Sequence, residues 1–177
     1  MVPWANTPHS ISEVLEWISS TSLGAQVVQA FFAMGRIKAV RIAGYPDEIR
    51  KRLNRVRKKN EPIGAAFVTD GTQGTIYVDL EQEAAVLGPF LLHEMVHSLD
   101  EALWQIAAEK VNQENREKVI LESERKAFET QYLFIQEMRR KDPAFGQFLD
   151  KKYPRVAILQ QALSREEIAK LYGLKAA

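Results

Sequence analysis

The stretch Phe90-Leu91-Leu92-His93-Glu94-Met95-Val96-His97-Ser98-Leu99-Asp100 decides how the rest of the chain is read. Its apolar residues recur at helical spacing, and Gly88-Pro89 just before it marks where a helix would begin. Residues four apart on a helix share a face, so the imidazoles of His93 and His97 can reach one Zn²⁺. Glu94 lies one residue round, where its carboxylate can touch a water on the metal. Zinc lowers that water's pKa toward about 7, and the carboxylate takes its proton during attack on a carbonyl. An H-E-x-x-H run on a helix therefore points to hydrolysis, usually of a peptide bond. The apolar run before it would bury the helix, which makes two histidines an awkward polar stripe unless they have a partner.

Two histidines leave a catalytic zinc site one protein ligand short. The chain's third histidine, His9, lies near an N-terminal turn and reads as solvent-exposed or cap-adjacent, and no H-x-x-G-x-x-H continuation follows His97. A carboxylate must fill the place, and a long amphipathic region from about Asn115 to Lys141 offers Glu117, Glu122, Glu124 and Glu129, with Glu114 just before it. At about 100° per residue from Ile120, an apolar sector of roughly 60° either side holds Ala127, Gln131, Phe134, Ile135 and Met138. Glu124 falls inside it at about 40°, while Glu122 and Glu129 fall near 200° and 180°, beside Lys118, Arg125 and Lys126. The latter two read as solvated ion pairs. A carboxylate on a buried face is costly unless paired or metal-bound, so Glu124 is either the third ligand or part of a buried pair.

Outward from this pair of helices, Ser10 to Glu13 reads as a capping box opening a helix to about Ser19. A second helix runs from about Ser22, with Gly35 at its C′ position. Residues Ile37 to Ala43 suggest a strand, and Pro46 opens a basic helix to about Lys59. Ile63 to Thr69 and Thr75 to Leu80 read as strands joined by Asp70-Gly71-Thr72-Gln73-Gly74, which predicts a hairpin. Everything after Asp79 reads helical, with Asp142-Pro143 ending the long helix and Ser164 to Glu167 capping a last short one. The expectation is one domain over residues 1–177: an α+β fold with a small N-terminal sheet and helices, a C-terminal helical lobe, and the active-site cleft between them.

Composition narrows the classes further. At 177 residues, with 46% hydrophobic and 27% charged, the chain can bury a real core, which excludes a disordered tail or a disulfide miniprotein. The absence of cysteine removes disulfides, thiolate zinc sites and cysteine nucleophiles. A net charge of +1 favours neither nucleic acid nor an acidic membrane, so polyanion binding would need a local patch; the partner expected from the H-E-x-x-H run is a peptide or protein substrate, not nucleic acid. No apolar run reaches the length of a membrane span, and no export signal is legible at the N-terminus. The run Arg50-Lys51-Arg52, Arg55, Arg57-Lys58-Lys59 could grip phosphates or could be a solvated helix face; no aromatics interleave with it.

The pattern His93-Glu94-x-x-His97-x-x-Asp100, followed by Glu124-x-x-Ala127-Phe128 and Pro143-x-x-x-x-Phe148-Leu149, resembles the gluzincin metallopeptidases. It is similar to the anthrax lethal factor catalytic domain and the bacterial Pro-Pro endopeptidases. The likeness spans roughly Thr75 to Leu149, and its specific part is the zinc-binding run. It implies a zincin-like fold, one Zn²⁺ per chain held by His93, His97 and Glu124, and Glu94 as general base. It also implies that the strand carrying Thr75, Ile76, Tyr77 and Val78 is the edge along which an extended peptide pairs. Asp100 is a candidate partner for a ligand imidazole, or a plain surface acid. Those relatives carry an oxyanion-stabilising tyrosine about seven residues before the ligand glutamate, whereas position 117 here is Glu, so that role has no holder in the sequence. A monomer is expected, cytoplasmic by default and secreted by the resemblance. The rival expectation is a zinc-binding or polyanion-binding protein without turnover that uses the basic helix 50–59.

Overall fold

The structure is a computed structural model and describes residues 3–35, 38–48 and 64–174. After a 3-10 turn at Pro3–Ala5, its elements are α1 (Ile11–Ser19), α2 (Ser22–Met34), β1 (Ala39–Gly44), β2 (Ala65–Thr69), β3 (Gln73–Val78), α3 (Ala84–Leu99), α4 (Glu101–Ala107), α5 (Gln113–Lys141), α6 (Pro143–Lys152), α7 (Ala157–Gln160) and α8 (Arg165–Tyr172). This is the expected α+β class, a small sheet with helices packed on it. The basic run from Arg50 to Lys59 lies outside the described residues.

Local chemistry sets the helix ends, and the box read at Ser10–Glu13 is half formed, because Glu13 Oε2 accepts from the His9 N–H in place of the Ser10 N–H. Ser10 accepts from the Glu13 N–H at the start of α1, Asn112 caps α5, and Ser164 and Glu167 form a reciprocal capping box on α8. Gly35, expected at the C′ position, is the C-cap of α2 with a right-handed φ of −57°. The site helix also differs from expectation, because it starts at Ala84 rather than at Gly88-Pro89. Pro89 sits in its second turn, where its missing N–H forgoes a single bond to the Ala85 carbonyl.

The sheet has the order β1-β3-β2. The hairpin forms as read, with β2 antiparallel to β3 from Ala65↔Val78 to Thr69↔Gly74. Asp70 Oδ1 accepts from the N–H groups of Thr72 and Gln73, and Gly71 takes a φ of 90° in a place where a Cβ would meet Ala108. On its other side β3 pairs in parallel with β1, from Ala39↔Gln73 to Gly44↔Val78. The strand bearing Thr75, Ile76, Tyr77 and Val78 is therefore central, and its assignment as the substrate edge is corrected. Both rows of its backbone hydrogen-bonding groups are already spent on β1 and β2. Among the described residues the open edge on the hairpin side belongs to β2.

Helix α3 runs through the middle of the molecule, against β2 and β3 on one side and α1, α2 and α5 on the others. Twelve of its sixteen residues are buried, so any polar group it carries must find a partner inside the protein. Leu91, Leu92 and Met95 are fully buried with Trp17, Phe134 and Phe145 in the main core. Each such side chain stabilises the fold by about 1.5–3 kcal/mol. Its first turn is held by Glu83, which accepts from Lys152 and from the Tyr153 hydroxyl; these contacts outweigh burial and keep its carboxyl below the ordinary range. The indole of Trp17 lies directly across Gly88, where a Cβ would come within 1.9 Å of Cζ3. Gly88→Ala is accordingly expected to destabilise the protein by about 1–3 kcal/mol. In thermal unfolding that is a fall of roughly 2–12 °C in Tm, and an unchanged Tm would contradict the contact.

A second, smaller cluster consists of Leu121, Phe128, Ile168 and Ala169 and fastens α8 to α5. No described helix is long and apolar enough to cross a membrane.

Candidate metal centre

Helices α3 and α5 pack along each other and bring three donors to one point. His93 Nε2 and His97 Nε2 lie 2.9 Å apart, and Glu124 Oε2 is 3.3 Å from each. The residues are only 3%, 6% and 9% exposed. The helical turn between His93 and His97 supplies the first pair, as the four-residue spacing predicts, and among the described residues Glu124 is the one buried carboxylate of α5. Glu122 and Glu129 take the place expected of them, flanking Arg125 on the outer face at 2.8 and 3.0 Å.

Three buried Lewis bases facing one another require a proton or a cation between them. His97 is fixed by Ser123, whose Oγ is 3.1 Å from Nδ1; donation of the Nδ1 proton there leaves a lone pair on Nε2. Burial pushes the Glu124 carboxyl up, yet hydrogen bonds and charge from His93 and His97 prevail and bring it down to about 2. Burial lowers the His97 imidazole, and the hydrogen bond and charge of Glu124 overcome this and raise it. The group could hold a metal ion. Tetrahedral zinc with ligands at about 2.0–2.1 Å spaces neighbouring donors about 3.3 Å apart, which these separations fit.

Glu94 lies beside the three donors without being one of them. Its Oε2 accepts from the Phe67 N–H at 2.8 Å, so it links α3 to β2 and stays out of the donor triangle. Phe67 is opposite Ile76 in the hairpin, and since its N–H meets Glu94 it faces away from β3. The outer row of β2 thus borders the site.

Asp100 does not pair with a ligand imidazole. Its Oδ1 accepts from the Ala102 N–H at 3.1 Å as the N-cap of α4, and its Oδ2 lies 4.0 Å from Lys126 Nζ. Its influence on His97 is through charge alone, because α3 ends at Leu99 and turns Asp100 toward the next helix.

Three contributors escaped the sequence. Ser123 sits beside Glu124 on the apolar sector of α5, and a lone hydroxyl there was a usable signal. Phe128 lays its ring edge-on to His93 with centroids 4.5 Å apart, a residue expected only as core. Tyr172, at the end of α8, brings its ring to a centroid distance of 6.3 Å from Phe128; burial first, then the Glu124 carboxylate nearby, raise its pKa. Nothing in local spacing links it to a glutamate on another helix. Tyr45 is a buried phenol, without a hydrogen-bond partner, whose pKa is raised by burial and then by the charges of Glu94 and Asp79.

No family model matches the chain, and no curated protein or solved structure matches it.

Proposed function

We propose that the chain is a zinc-dependent endopeptidase, with His93, His97 and Glu124 as the ligands of one ion and Glu94 as general base. The observation that carries this is the buried convergence of three donors with a fourth acid beside them that is not a donor. A structural site would use four protein ligands, whereas three leave a position for water or substrate. Zinc held there supplies a Lewis acid that acidifies water and polarises a carbonyl. Glu94 takes a proton from the attacking water and hands it to the leaving amine nitrogen, so that the elements of water add across the broken C–N bond. Its contact with the Phe67 N–H sets the direction of the carboxylate. An extended peptide would pair with the outer row of β2, in place of β3, and would lie across Glu94.

A mixed peptide library tests this. Zinc-loaded protein is expected to cleave it, a chelator to stop cleavage, and added zinc to restore it. No cleavage by chain that carries one zinc would contradict the peptidase reading and favour a metal-binding protein without turnover.

A further inference from the structure

A scissile peptide bond has to reach the open position on the ion, yet all three donors are buried, so access depends on what lies over them. The last helix lies against that site. Ile168 and Ala169 of α8 pack on Leu121 and Phe128, with Ile158, Leu163 and Leu174 around them. Leu121 and Phe128 stand three residues before and four residues after Glu124, so α8 sits on the strip of α5 that presents Glu124. Phe128 is the layer between the helix and the ligands: its ring meets His93 at a centroid distance of 4.5 Å and the Tyr172 ring at 6.3 Å. The attachment is small. Its four buried residues form a cluster separate from the main core, in which Leu91, Leu92 and Met95 anchor the helix of the two histidines. Residues 161–164, exposed except for the half-buried Leu163, join α8 to α7. Release of α8 therefore gives up one four-residue cluster and leaves the core and the ligand helices packed.

We propose that α8 is a lid on the metal centre: docked, it shuts the ion away from peptide and from chelators, and it opens as a unit about residues 161–164 to admit them. The lid rests on the metal-centre reading given above. It sets activity by population. While the docked state dominates, the rate at which any molecule reaches the ion scales with the open fraction, so weaker docking raises entry of peptide and removal of metal together. A support for the ligands would act in the opposite sense, since its loss would lower both metal affinity and turnover. The sign of the effect separates a lid from a support.

Two substitutions loosen the docking and touch no ligand. Ile168→Ala removes apolar volume from the cluster, and Ala169→Glu puts a charge into it. On the full-length zinc-loaded chain, both are expected to speed removal of zinc by excess EDTA by about 10–100-fold and to raise cleavage of a peptide library. Uptake and removal quicken together, so zinc affinity is expected to hold. Amide exchange over 165–172 should hasten while exchange over 90–98 stays slow. Zinc removal at the wild-type rate from a variant with 165–172 exchanging freely would overturn the lid, and so would lower zinc affinity with lower turnover, the mark of a support. Exchange over 165–172 unchanged in both variants, or raised equally over 90–98, would overturn it as well, because α8 would then not open by itself on this cluster. Faster removal from a chain that cleaves nothing would keep the lid and reject only the peptidase reading. A wild type that binds no zinc would overturn the metal centre and the lid with it.

Discussion

Glu94→Gln is expected to lower peptide hydrolysis by about 10²–10⁴-fold while leaving zinc content at the wild-type value. The substitution keeps the size and shape of the side chain. Its amide oxygen can still accept from the Phe67 N–H, so the link between α3 and β2 survives. What is lost is the capacity to take a proton from water. Because Glu94 is not one of the three converging donors, the ion should stay. Turnover and metal content measured on the same preparation separate the outcomes. Undiminished hydrolysis would remove Glu94 from the chemistry, and loss of zinc along with activity would give it a structural part that its geometry does not support.

Glu124→Ala is expected to abolish stable zinc binding, a larger loss than the roughly 10–100-fold typical of partners that only support a ligand. It leaves His93 and His97 as a two-donor site, with Nε2 atoms 2.9 Å apart and no carboxylate to balance a cation. The thermal transition reads this directly. Zinc at a hundred times its Kd stabilises a folded protein by about 2.7 kcal/mol, which for a chain of this size raises Tm by roughly 5–10 °C. The wild type should show that rise and Glu124→Ala should show none. An equal rise in both would place the third ligand elsewhere.

How far the sequence could be read follows from the range over which its signals act. His93, His97 and Glu94 lie within one helical turn, where spacing alone fixes which side chains share a face. Glu124 was legible because an acid on an apolar sector is an anomaly that periodicity exposes. Its neighbours Glu122 and Glu129 were separated from it by the same argument, and Arg125 stands between them. The hairpin was legible from its turn residues. The parallel pairing of β1 with β3 was not, since no local signal says which strand returns to the other side of a hairpin, and the edge was misassigned for that reason. Asp100 was misplaced because the break after Leu99, which makes it a helix cap, is not marked by Gly or Pro. Tyr172 was beyond reach, since it comes to Phe128 beside the site through the docking of one helix on another.

The central claim is that the space between α3 and α5 is a metal centre, and the most direct measurement is elemental analysis of the purified chain after dialysis without chelator, beside His93→Ala. One zinc per wild-type chain and none in the variant is the predicted result. No zinc in either, after supplementation and with both proteins folded, would contradict the account and return the chain to the polyanion-binding alternative carried by the basic run from Arg50 to Lys59.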